Sequence, residues 1–154
     1  MQFFTLANFF CALTAMAVVG SASLTPEPAP AAFIWTDAEF DHWLTTTDAE
    51  ITHYGNTTPN PLAPRATLNT RFTRVTYCNR RTNNVCGGSC SVYNGGATCL
   101  NAAGTMCLAA TNNVGFCDRS NCGGSCHQLS SCGTRLDAGF CYTPDTASII
   151  VSSA

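Results

Sequence analysis

The chain has 154 residues, of which only 10% are charged, and seven basic residues against nine acids leave a formal net charge of −2. Every base is arginine and none is lysine; without a dense basic run, nucleic-acid binding is excluded and a membrane-attacking cationic toxin is disfavoured. Eleven cysteines in so short a chain point instead to a disulfide scaffold.

Residues 1–22 read as a secretory signal peptide. Residues 3–19 are apolar, diluted by Thr5, Asn8 and Thr14, and the small residues Gly20-Ser21-Ala22-Ser23 follow, with cleavage expected after Ala22. The first residues carry no Lys or Arg, but the stretch is too short and too polar for a membrane anchor. Cys11 leaves with the signal. The mature chain then holds ten cysteines, an even number that suits an oxidising compartment. The apolar tail at 149–151 is too brief for a lipid-anchor signal. The expectation is a secreted, extracellular protein without membrane insertion.

Residues 23–64 form an acidic N-terminal segment and a candidate pro-region. It holds both tryptophans and six of the nine acids, while all seven arginines lie from Arg65 onward, so a weak attraction between the two parts is expected. Residues 24–34 are rich in Pro and Ala and read as a leader or linker. Thr36-Asp37-Ala38-Glu39 is a capping box, and Trp35 is placed to staple onto Phe40. Phe40, Trp43 and Leu44 share a helical face, which predicts a helix over 37–45 with Trp35, Phe40 and Trp43 as core. Thr47-Asp48-Ala49-Glu50 repeats the box, with Ile51, Tyr54 and a Gly55 stop, which predicts a second helix over 48–54. Residues 55–67 are a Pro-rich loop containing the chain's one glycosylation sequon, Asn56-Thr57-Thr58.

Residues 65–154 read as a cysteine-rich β domain. The run at 70–78 is rich in Thr, Val, Phe and Tyr. Asn94-Gly95-Gly96, Asn112-Asn113 and Asp137-Ala138-Gly139 are turn signals that predict hairpins between 91–93 and 97–100, 105–110 and 114–117, and 134–136 and 140–143. Residues 148–153 add a last strand. The cysteines repeat: an aromatic-Cys-Asx-Arg start at Tyr77 and again at Phe116, each followed by Cys-Gly-Gly-Ser-Cys and two more cysteines. The units span 77–108 (Cys78, Cys86, Cys90, Cys99, Cys107) and 116–142 (Cys117, Cys122, Cys126, Cys132, Cys141). Five per unit is odd, so full oxidation requires at least one bridge between units; the connectivity itself stays open. The predicted fold class is therefore small, disulfide-rich and mainly β, with short hairpins, two pseudo-repeated five-cysteine units and a short α-helical N-terminal segment.

Chemistry-bearing constellations are sparse. The Cys-Gly-Gly-Ser-Cys pairs have spacing admissible for zinc, but a secreted chain with six further cysteines favours disulfides, and no metal or other cofactor is expected. Ser130, His127 and Asp118 coexist without a motif that would make them a triad, and Glu39, Asp41 and His42 are accounted for by helix capping and solvent. No enzyme is expected. Residues 86–117 loosely resemble the small fungal cellulose-binding module in their Cys-Gly-Gly start and final Cys-to-Cys step, but they lack its flat row of three aromatic rings. A glycan face is conceivable only if Tyr77, Tyr93, Phe116, Phe140 and Tyr142 come together.

The whole pattern of signal, acidic Trp-bearing segment and paired Cys-Gly-Gly-Ser-Cys motifs resembles the small secreted cysteine-rich proteins of fungi, particularly basidiomycetes. That resemblance implies an effector or extracellular signalling factor, without catalytic residues, whose partner is an extracellular protein or glycan. A cell-wall carbohydrate binder and an antimicrobial polypeptide are the alternatives.

Overall fold

Thr36 caps the helix that follows it. In the computed structural model, which describes residues 34–55 and 72–153, helix α1 (Asp37–Thr46) begins with a reciprocal cap. The Thr36 hydroxyl accepts the Glu39 N–H at 3.2 Å, and the Glu39 carboxylate accepts the Thr36 N–H at 2.7 Å. That backbone bond, with a second from the Thr36 hydroxyl, holds the Glu39 carboxyl below the ordinary carboxylate range. Phe40 and Trp43 are buried one helical turn apart, and Leu44 is half-buried beside them.

The helix expected over 48–54 is a strand. Thr47 is already used as the C-cap of α1, its N–H donating to the Trp43 carbonyl at 2.9 Å. Its hydroxyl accepts the Ala49 N–H at 3.2 Å, two residues on rather than three. The chain therefore leaves extended as β1 (Glu50–Gly55), which pairs parallel with β3 (Val85–Gly95) from Glu50↔Ser89 to Gly55↔Asn94. Ile51, Thr52 and Tyr54 are good strand formers, and a sheet edge satisfies their backbone groups better than a two-turn helix would.

The remaining strands are β2 (Thr73–Thr82), β4 (Thr98–Ala110), β5 (Gly115–Cys117), β6 (Cys126–Gln128) and β7 (Cys141–Val151). All seven form one sheet in the order β1-β3-β2-β4-β7-β5-β6. A single turn of 3₁₀ helix occupies Leu129–Ser131, and Asp137–Gly139 is a tight turn with Ala138 and Gly139 at positive φ. The strand order corrects two expected hairpins. β3 and β4 are not neighbours, because β2 lies between them and pairs with both; β4 and β5 are likewise separated by β7. Only the third turn joins paired residues, through the bridge Arg135↔Cys141. The hairpin that does form locally, β2 to β3, turns at Asn83, whose φ of 55° suits asparagine in the left-handed region.

β4 and β7 bend together. Their register shifts between Asn101 and Thr105 and again between Thr105 and Cys107, where Gly104 of β4 has φ of 78° and Asp145 of β7 has φ of 62°. The second half of β4 continues the β2 ladder, whereas its first half pairs only with β7 and reaches back over the β2 face, where the Tyr77 hydroxyl donates to the Asn101 carbonyl at 3.4 Å.

Two hydrophobic clusters result. One gathers Trp35, Phe40, Trp43 and Phe140 against Cys78, Cys86, Cys90, Cys107 and Val92. The Trp35 ring stands edge-on to Phe40 at 5.5 Å and to Phe140 at 4.9 Å between centroids, so the tryptophans are core. The other holds Val75, Leu108, Val114, Leu129, Ile149 and Val151. At the margin of the first cluster the Arg74 guanidinium lies 4.1 Å from the Phe40 ring centre and reaches Asp41 at 2.6 Å and Asp37 at 3.5 Å. The acidic segment and the arginine-bearing part thus meet at Arg74, which pairs with both aspartates. Both carboxylates are well exposed, so each pair contributes less than about 1 kcal/mol.

Candidate functional site

All ten cysteines from Cys78 onward are paired, as Cys78–Cys90, Cys86–Cys107, Cys99–Cys122, Cys117–Cys126 and Cys132–Cys141. Cys99–Cys122 is the bridge between the two cysteine groups. The Cys-Gly-Gly-Ser-Cys segments carry matching local bonds. Cys78–Cys90 joins directly opposed residues of β2 and β3, and Cys117–Cys126 does the same for β5 and β6. Asn79 Oδ1 accepts the Ser89 N–H at 3.0 Å, and Asp118 Oδ1 accepts the Ser125 N–H at 2.9 Å.

The second glycine of each segment sits in the left-handed region, Gly88 at φ 83° and Gly124 at φ 77°. A Cβ on Gly88 would lie 2.6 Å from Asn79 Oδ1 and 2.8 Å from the Arg80 Cβ. Gly88→Ala is therefore expected to lower stability by about 1–2 kcal/mol. Gly87→Ala, whose added Cβ meets nothing within 4 Å, should stay within about 0.5 kcal/mol of wild type. Equal urea midpoints for the two variants would contradict this assignment.

On the β1–β3–β2 part of the sheet, the face away from the tryptophan cluster is polar and aromatic. Parallel register sets Tyr54 beside Tyr93 and Thr52 beside Ser91, and antiparallel register sets Ser91 opposite Tyr77. The first half of β4 forms a wall above this floor. Together they enclose a groove of about 610 Å³ whose lining includes Tyr54, Tyr77, Tyr93, Asn79, Asn101 and Leu100. Among the described residues that line it, none is charged; the nearby Glu50 carboxylate accepts the Ser89 hydroxyl at 3.4 Å.

The rings are held in place. The Tyr93 hydroxyl donates to the Gly96 carbonyl at 2.8 Å. Two glycines make room for its ring: a Cβ on Gly55 would lie 3.0 Å from it, and one on Gly95 would run into its hydroxyl. Burial pushes the Tyr77 phenol above its ordinary pKa, partly opposed by a hydrogen bond with Ser91, so Tyr77 stays a neutral donor. Tyr54 is 50% exposed at the outer strand. Asn79 and Asn101 each use Oδ1 on a backbone N–H, of Ser89 and Ala103, which leaves the amide N–H donors for a ligand.

The five rings expected to make one face do not. Tyr77 and Tyr93 share the groove. Phe140 is 1% exposed within the tryptophan cluster, where it fills the space between the helix and the sheet. Tyr142 packs on that same side, with the Arg81 guanidinium 4.1 Å from its ring centre. Phe116 lies beside His127 at 5.7 Å on the β5–β6 pair. Tyr54, which completes the groove, falls in the stretch expected as a helix over 48–54; the strand-forming residues Ile51, Thr52 and Tyr54 are the signal that marks it as extended. Asn56 lies outside the described residues, as do the signal segment 1–22, residues 24–33 of the expected leader and residues 56–67 of the expected Pro-rich loop.

His127, Ser130 and Asp118 have separate neighbours. His127 lies against Phe116, the Ser130 N–H donates to Asn113 Oδ1 at 2.9 Å, and Asp118 is engaged by Ser125. Among the described residues, no three His, Cys, Asp or Glu side chains cluster as a metal site, and no helix is long and apolar enough to cross a membrane. No protein-family model, curated protein or solved structure matches the chain.

Proposed function

We propose that the chain is exported, loses residues 1–22, and acts outside the cell as a non-enzymatic interaction protein. Its type is that of an effector or signalling factor among fungal small cysteine-rich proteins. The observation behind this reading is that disulfides pin both sides of the tyrosine-lined groove. Cys78–Cys90 ties its floor, and Cys99–Cys122 tethers its β4 wall to the segment between β5 and β6. A recognition surface held rigid before it meets its partner loses little ordering entropy on binding. In this reading the units 77–108 and 116–142 are duplicates, each closed by a bridge from its first to its third cysteine, and their remaining pairings have diverged.

Mass spectrometry of the exported protein tests the proposal. The expected result is an N-terminus at Ser23, a glycan on Asn56, and no alkylation of any cysteine until reductant is added. Reactive thiols at Cys86, Cys90, Cys122 or Cys126 would sink it.

A second reading, a binder of cell-wall glycan, is favoured by one specific feature: the groove is neutral and combines aromatic rings with amides and hydroxyls. Retention of the protein on insoluble chitin, cellulose or β-glucan supports it, and clean flow-through from all three removes it.

A further inference from the structure

We infer that the groove between the β1–β3–β2 floor and the first half of β4 is an oligosaccharide-binding site for a neutral glycan chain, with Tyr54 as its exposed stacking platform. The inference rests on the glycan reading and assigns it a place and a ligand class. A pyranose ring has two chemistries. Its C–H faces are apolar and weakly positive, and they stack on the electron-rich face of an aromatic ring; its rim is a ring of hydroxyls that both donate and accept hydrogen bonds. The groove offers the complement of each. Tyr54, Tyr77 and Tyr93 supply rings, while Asn79 and Asn101 supply amide donors.

Charge narrows the ligand further. No Arg, Asp or Glu lies in the described lining, so a uronate, sulfated or phosphorylated glycan would surrender hydration of its charge without gaining a counter-ion. The nearest carboxylate, Glu50, sits at the Ser89 end and disfavours an anion there. An extended peptide fits less well. Its backbone would seek a row of unpaired strand groups, and β3, in the middle of the floor, is paired on both sides, so such groups lie only at the margins, along β1 and the first half of β4. The size agrees as well, since about 610 Å³ lies within the range of small-ligand sites. Tyrosine also orders few torsions on binding, and Tyr93 is already fixed by the Gly96 carbonyl.

The test is an NMR titration of the intact, oxidised, exported protein with soluble β-glucan, cello- and chito-oligosaccharides, and with oligogalacturonate as the anionic comparison. The expected result is saturable binding of at least one neutral oligosaccharide and none of oligogalacturonate, with shifts concentrated at the Ser89, Ser91 and Asn101 amides. Tyr54→Ala, an exposed position whose loss leaves the core intact, should weaken binding at least about tenfold. Tyr77→Phe should weaken it several-fold, and Phe116→Ala should leave it unchanged. Two failures overturn the inference and read differently. Wild-type affinity in Tyr54→Ala, or shifts centred on Phe116 or Tyr142, displaces the site but keeps the glycan reading. Binding of no neutral oligosaccharide by wild type, or of oligogalacturonate or a polypeptide alone, removes the glycan reading itself.

Discussion

Phe140→Ala is expected to cost about 3–5 kcal/mol, the largest effect of any single substitution considered for this chain. Its ring is 1% exposed and stands 4.9 Å from Trp35 and 5.3 Å from Trp43 between centroids. Those partners come from the N-terminal segment, so Phe140 anchors the α1 part of that segment, which the Trp35–Ala110 backbone bond and the β1–β3 pairing also hold to the sheet. Removing the ring opens a cavity that α1 can fill only by shifting off its strands. A typical domain is stable by roughly 5–15 kcal/mol, so the loss is a large fraction of the total. Both tryptophans of the chain lie in this cluster, and their fluorescence therefore reports on it alone. Denaturant unfolding followed by tryptophan emission should show a lower midpoint and a red-shifted native spectrum. A change below about 1 kcal/mol with unshifted emission would show that the segment does not pack there.

Replacing Cys99 and Cys122 together by serine should lower stability by about 3 kcal/mol, the loop-closure contribution for a bridge of this span. The two residues are 23 apart in sequence. Cys99 is exposed and Cys122 half-buried, so serine leaves little cavity and the measurement isolates the covalent constraint. The double variant also frees the β4 wall of the groove, because the first half of β4 then depends on its pairing with β7 and on the Tyr77 hydroxyl that donates to the Asn101 carbonyl. Midpoints are to be compared under non-reducing conditions. An unchanged midpoint would mean that the bridge between the two cysteine groups contributes nothing, and the rigid-body premise of the proposed function would fall with it.

Legibility in the sequence followed the range of the interactions. Thr36 and Glu39 are three residues apart and cap each other, so their motif could be read directly. Thr47 and Glu50 have the same spacing and formed no box, since Thr47 closes α1 and Glu50 pairs into the sheet beside Ser89. The aromatic set was half legible for the same reason. Tyr77 and Tyr93 each precede or follow a cysteine motif on strands that pair, while the register sets Tyr142 beside Cys107 and Cys78 on the opposite face, with Phe140 against the tryptophans, and no local signal announces that register.

The residues alone determined the chemistry and the covalent economy of this protein. An odd cysteine count per unit required, once all are oxidised, a bridge between units, while the connectivity and the Asx-to-Ser bond beside each left-handed second glycine emerged only in the structure. Tertiary structure decided that β2 inserts between β3 and β4, that residues 50–55 are an edge strand, and that Tyr54 joins Tyr77 and Tyr93 in one groove. Capping and tight turns are settled within a few residues unless, as at Thr47 and Glu50, neighbouring elements claim the same groups. Strand order and ring grouping instead depend on contacts between distant segments, where closing a longer loop costs only slightly more entropy and the apolar surface buried selects among the pairings.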